Sequence, residues 1–214
     1  MTFLSDKENI FLRLLSSLAY GTLFVYVIII KNLIPFYIFI GTLIIGSIHE
    51  LITINKKTKY LIFIGTMAYV LISFILFIKI KNANNGVPLI LILMIQVWSA
   101  DLGGYLIGKL FGKNKLTIIS PNKTWEGICG SLIFCLSIGF LCNRLNPNLI
   151  QSNWILVSTS ICFGSIVGDL IISKMKRVNN IKDSGYFLPG HGGFLDRLDS
   201  LFLSTIVYYF IIYI

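Results

Sequence analysis

Charge is what this chain has least of. Nine Asp and Glu are spread over 214 residues, and charged residues of both signs together make up only 13%. Mean hydropathy is +0.83. Those values exclude an ordinary water-soluble domain, in which about a quarter of residues are charged. No polar stretch is long enough to fold as a separate soluble unit. The four cysteines, Cys129, Cys135, Cys142 and Cys162, form no C-x-x-C pair, which excludes a zinc ribbon or a disulfide framework and leaves them as packing residues. His49-Glu50 lacks the second histidine of H-E-x-x-H, so a zinc protease is excluded too. No small-x-small site follows the first apolar run, and Asp6 and Glu8 precede it, so that run is expected to stay as a membrane helix rather than be cleaved as a leader.

What the chain does have is apolar length. A helix needs roughly 20 residues to cross about 30 Å of hydrocarbon. Seven runs approach that requirement, at 10–30, 33–49, 60–79, 87–108, 126–142, 149–172 and 194–214. The expected fold class is all-α, a polytopic transmembrane bundle forming one integral membrane domain over 1–214. Residues 1–90 are expected to anchor it and 91–214 to carry the chemistry. With seven spans, fourteen of the eighteen Lys and Arg fall on one side of the membrane, and the positive-inside rule makes that side cytoplasmic, the N-terminus included. The acids fall on the same side. The net charge of +9 is therefore a matter of topology, and no nucleic-acid partner is expected.

Span four carries Ala100, Gly104, Gly108 and Gly112 at intervals of four, a stripe of small residues that lets a second helix approach closely. Asp101 lies beside that stripe. An ionised carboxylate within a span costs about 2.5–3.5 kcal/mol on insertion scales, so Asp101 needs compensation, whether structural or functional. In the following LTIISPNKTWEGICG, Ser120-Pro121 suits an N-cap and first helical position, Trp125 a membrane-surface belt and Glu126 a first turn. Lys123 and Thr124 are left over from that boundary account. Glu50, at the end of span two, reads as an interfacial acid.

The least apolar stretch is SKMKRVNNIKDSGYFLPGHGGFLDRLDS, residues 173–200, with five basic and three acidic side chains. Asp169, Ser173 and Lys176 share one face of span six. A helix from 149 to 177 is about 42 Å long and must emerge from the hydrocarbon. Asp196 and Asp199, spaced i and i+3, share one face of span seven. The glycines of Pro189-Gly190-His191-Gly192-Gly193 precede a helix start, a pattern that can present N–H groups to a phosphate. Carboxylates beside such a loop repel phosphate unless a cation lies between. Asp169, Asp196 and Asp199 offer the hard oxygens that suit Mg²⁺, with Lys174, Lys176, Arg177, Lys182 and Arg197 for the remaining phosphate charge.

Ser173, Lys176-Arg177, Lys182-Asp183, His191-Gly192-Gly193, Asp196-Arg197 and Asp199, together with SPNKTWEG and Gly168-Asp169-Leu170, resemble the motifs of the phosphatidate cytidylyltransferase (CDP-diglyceride synthase) family over residues 98–204. The resemblance implies transfer of CMP from CTP to phosphatidate, giving CDP-diacylglycerol and pyrophosphate, by an enzyme of a bacterial inner membrane whose site faces the cytoplasm. It implies Mg²⁺ held at Asp169 and Asp196, with a second, monovalent cation left open. It casts Asp169, Lys176, Asp196, Arg197 and Asp199 as catalytic. Ser120, Lys123, Ser173, Arg177, Lys182, Asp183, His191, Gly192 and Gly193 would bind substrate, His191 by a hydrogen bond rather than proton transfer. Membrane lipid is an expected partner, and a homodimer is left open. Two alternatives share some of these features: a CTP-dependent lipid kinase, which would attack the γ-phosphorus, and a transporter for an anionic solute, which would place charges at the midplane and on both faces.

Overall fold

Each apolar run corresponds to a helix in the computed structural model of the chain, which describes residues 19–117, 119–147, 149, 153–185 and 192–213. The described residues hold seven helices: α1 (Ala19–Ile29), α2 (Leu33–Ile54), α3 (Tyr60–Asn82), α4 (Gly86–Phe111), α5 (Trp125–Leu145), α6 (Trp154–Val178) and α7 (Leu195–Tyr213). Five of them, α2 to α6, are long and apolar enough to cross a bilayer. The outward faces are greasy as well, with Ile45, Leu61, Ile133 and Phe163 all exposed. In water such a surface would aggregate; against lipid it is the stable arrangement. The chain is an integral membrane protein.

The runs end where capping chemistry stops them. Asn32 accepts a hydrogen bond from the Ile34 N–H to open α2, and Asn153 does the same for α6 through Ile155. The start of α5 differs from expectation. Thr124, not Ser120, is its N-cap, its Oγ1 accepting from the Gly127 N–H at 3.1 Å. Ser120-Pro121 instead lies in a turn of the α4–α5 connection. That connection folds back on itself: Leu116 N–H donates to the Lys123 carbonyl at 2.8 Å, and Trp125 N–H to the Asn114 carbonyl at 3.0 Å. Glu126 clasps it by accepting from the Asn114 side-chain amide at 2.9 Å. Lys123 is thereby held facing the bundle. Helix α6 runs to Val178, beyond the apolar run that ends at 172, as its length required.

Close contact between α4 and α5 rests on missing side chains. A Cβ on Gly103 would collide with the Gly130 carbonyl and Phe134, and one on Gly104 with Ser131. Gly108 and Gly112 lie close to Thr124, so the small-residue stripe faces the start of α5 as its spacing implied. The α6–α7 pair is built on the same principle. Gly164 meets the backbone of Ser204, and Gly168 the Asp199 carbonyl. The contact at Gly168 places Asp169, the next residue, against the acidic start of α7.

The cysteines are all free. Cys135 and Cys162 are buried and Cys142 is half-buried, whereas Cys129 is exposed on the outer face rather than packed inside.

Candidate active site

At one end of the bundle the α4–α5 connection meets the tips of α6 and α7, and between them lies a cavity of about 380 Å³. That volume suits a small-molecule ligand, for which pockets run from about 300 Å³ upward. Its walls mix both charges. Asp101, Asp169, Asp196 and Asp199 line it from α4, α6 and α7, while Ser120 and Lys123 line it from the connection.

Each carboxylate is held differently. Asp169 Oδ2 pairs with Lys123 Nζ at 2.5 Å, and its Oδ1 accepts from Ser173 Oγ at 2.9 Å, one helical turn on. Asp196 Oδ1 accepts from Lys176 Nζ at 2.6 Å. Asp196 Oδ2 accepts two backbone N–H bonds, from Ser184 at 2.8 Å and Gly193 at 3.0 Å. Asp199 Oδ1 takes the Ser200 N–H at 2.8 Å. Asp101 Oδ1 accepts from Ser165 Oγ of α6 at 2.9 Å and Ser200 Oγ of α7 at 3.1 Å. The compensation that Asp101 needs thus comes from two hydroxyls on two other helices.

Of the residues named from the sequence, Asp169, Asp196, Asp199, Ser120 and Lys123 converge on this cavity. Ser173 and Lys176 stand one bond behind the wall. Others do not converge. Lys182 and Asp183 are exposed and away from the wall, and Arg197 is exposed and does not line the cavity. Arg177 is a tie rather than a free cation, donating to the carbonyls of Ile119 at 3.4 Å and Ile181 at 3.1 Å. His191 lies outside the described residues.

Of the glycine loop expected to cradle phosphate, Pro189, Gly190 and His191 lie outside the described residues. Where the loop enters α7, the N–H groups of Gly193, Phe194 and Leu195 bind the protein's own carboxylates: Gly193 that of Asp196, Phe194 and Leu195 that of Glu50. Gly192 has φ +86°, and a Cβ there would run into the Asp196 carboxylate. Only glycine combines that left-handed backbone with that close approach. Glu50, read from the sequence as an interfacial acid, is buried within the protein.

The donors suit a hard cation. Carboxylate oxygens of Asp169 and Asp196 face one cavity, each with a lysine at its oxygen. Among the described residues no three His, Cys, Asp or Glu gather into a metal cage. A cation there would complete its shell with water and substrate oxygens, the habit of Mg²⁺ rather than of zinc. Taken together, the fold and the pocket define a polytopic membrane protein whose α4, α6, α7 and α4–α5 connection bring four carboxylates, Lys123 and Ser120 to one cavity.

Sequence comparison supplies the family. The chain belongs to the Cytidylyltransferase family, whose profile matches residues 56–214. It is similar to the phosphatidate cytidylyltransferase of Rickettsia felis, 35% identical over 96% of this chain and 93% of that protein. The Haemophilus influenzae protein of the same description is 42% identical over 55% of this chain, and the match spans 43% of that protein's length. The Staphylococcus aureus protein is 44% identical over 63% of this chain and 52% of its own. The chain thus spans about half of the Haemophilus and Staphylococcus relatives it matches and nearly all of the Rickettsia one.

Proposed function

We propose that the chain transfers CMP from CTP to phosphatidate, producing CDP-diacylglycerol and pyrophosphate for phospholipid synthesis, at a site facing the cytoplasm. One observation carries the reading: the Lys123 of SPNKTWEG and the acids of α6 and α7 line the same cavity, in a chain whose near-full-length relatives bear that activity's name.

The attacking atom is a phosphate oxygen of phosphatidate, anionic at neutral pH, so no side chain has to remove a proton. A bond forms from that oxygen to the α-phosphorus of CTP, and the bond from the α-phosphorus to the bridging oxygen of pyrophosphate breaks. The protein's work is to hold two anions in line and to offset their charge. Lys123 and Lys176 reach carboxylates in the structure and can move their ammonium groups to phosphate oxygens. Ser120 offers a hydroxyl on the same wall. Asp169 and Asp196 would hold Mg²⁺, whose charge offsets that developing on the leaving pyrophosphate. Asp101 and Asp199 line the same cavity and would offer further carboxylate oxygens to a second, monovalent cation. Ser173 supports this centre through its bond to Asp169, and the positive-inside bias orients the site to the cytoplasm.

The test uses membranes carrying the chain, phosphatidate, Mg²⁺ and CTP labelled at the α-phosphate. Label entering lipid is the expected result, and its absence overturns the proposal. Label entering from the γ-phosphate instead would mark a lipid kinase.

A further inference from the structure

Glu50 lies in α2, in the third of the chain that reads as membrane anchor, and just before the segment matched by the family profile. Its buried carboxylate nevertheless gathers three donors from 134 to 145 residues away. Oε2 accepts from Ser184 Oγ at 2.8 Å and from the Leu195 N–H at 3.0 Å, and Oε1 from the Phe194 N–H at 2.8 Å. A Cβ on Gly185 or Gly193 would strike this carboxylate, so both glycines are shaped around it. No basic side chain pairs with Glu50 among the described residues; the N-terminal amides of α7 balance its charge.

The same segment carries Asp196. Ser184 donates through its hydroxyl to Glu50 and through its backbone to Asp196, and Gly193 N–H also binds Asp196. Glu50 thus holds, from a distant helix, the two strands of chain whose amides aim Asp196 at the cavity. Glu50 itself lines no part of that cavity.

We propose that Glu50 is a positioning residue that acts on the reaction through Ser184 and Asp196, an inference that rests on Asp196 being a site carboxylate. Glu50→Gln keeps the shape of the side chain but offers an amide NH2, a donor, where at least one donor now binds. Misplacing a reacting group by about 1 Å can cost on the order of 10²-fold in rate.

Full-length Glu50→Gln, Ser184→Ala and the double variant are assayed in lipid-detergent micelles with α-labelled CTP, alongside thermal unfolding. Glu50→Gln should lower kcat about 10- to 100-fold with KM for CTP unchanged, because the wall that meets substrate is intact. Ser184→Ala should lower kcat less, and the double variant no more than Glu50→Gln alone, since both act through one network. Wild-type kcat in Glu50→Gln, losses that multiply, or a loss that only tracks the folded fraction would each overturn the proposal. If Glu50→Gln does not fold, Ser184→Ala decides alone: it keeps both amide bonds to Glu50, and an unaltered kcat there overturns the idea. Asp196→Asn separates the two readings. Turnover by that variant sinks the role of Asp196 itself, whereas wild-type rates in Glu50→Gln beside an inactive Asp196→Asn sink only the positioning.

Discussion

Lys176 of α6 donates to Asp196 of α7 at 2.6 Å, with their side chains only 10% and 11% exposed. A pair so far from water joins the two helix tips, and its energetics differ from those of a surface bridge. Removing one partner strands a buried charge, which costs about 3–5 kcal/mol. Lys176→Met should fall near the lower end, because Asp196 keeps its two amide bonds. Lys176→Met combined with Asp196→Asn should recover most of that stability in thermal unfolding while CMP transfer stays absent. Recovery of activity along with stability would mean the pair is only a fastener.

Lys123 and Asp169 make the contrasting pair. Both side chains are 26% exposed, so the bond at 2.5 Å is partly screened and contributes about 1 kcal/mol or less to folding. Lys123→Gln should therefore unfold near the wild-type temperature. Turnover should still drop by about 10²-fold or more, the scale of losing one charge-stabilising group from a transition state. Lys123→Arg should rescue poorly, since a planar fork does not replace a compact ammonium in that space. A wild-type rate for Lys123→Gln would remove it from the site.

The helix contacts give a test on stability alone. Gly130→Ala sets a methyl group against the Gly103 carbonyl and Ile107, whereas Gly41→Ala on α2 meets nothing within 4 Å. Overpacking of that kind costs about 1–3 kcal/mol. Gly130→Ala should lower the unfolding temperature measured by size-exclusion fluorescence, and Gly41→Ala should leave it unchanged or raise it slightly.

Much of this architecture is readable from local pattern. Hydropathy locates each of the seven helices in the described residues, although only five of the seven expected spans, α2 to α6, are long and apolar enough to cross a bilayer. Spacing puts Ser173 beside Asp169 and the Gly104 stripe on one face, since a helix repeats every few residues. Other features leave no local trace. Thr124 displaces Ser120 as the cap of α5 only because the preceding connection folds back through Asn114 and Glu126. Glu50 reads as a boundary acid, since its partners Ser184, Phe194 and Leu195 lie more than 130 residues away. The start of α7 is a related case: a glycine loop before a helix offers N–H groups, but sequence does not say which acceptor reaches them first. Here the acceptors are Asp196 and Glu50.

Asp101 is the residue for which structural and functional roles can be separated by one substitution. Its Oδ1 accepts from Ser165 and Ser200, bonds that an asparagine carbonyl can keep, so Asp101→Asn should fold and hold α4 to α6 and α7 much as before. What it removes is one negative charge from a cavity already lined by Asp169, Asp196 and Asp199. If Asp101 helps retain cations beside the substrate phosphates, the variant should need more Mg²⁺ for half-maximal rate, and its maximal rate should fall by about tenfold, a loss of roughly 1.4 kcal/mol in transition-state stabilisation. A Mg²⁺ titration of CMP transfer, run beside thermal unfolding, measures both. An unchanged titration with an unchanged rate would leave Asp101 as an acceptor for two serines, and the charge would then be incidental to that structural bond.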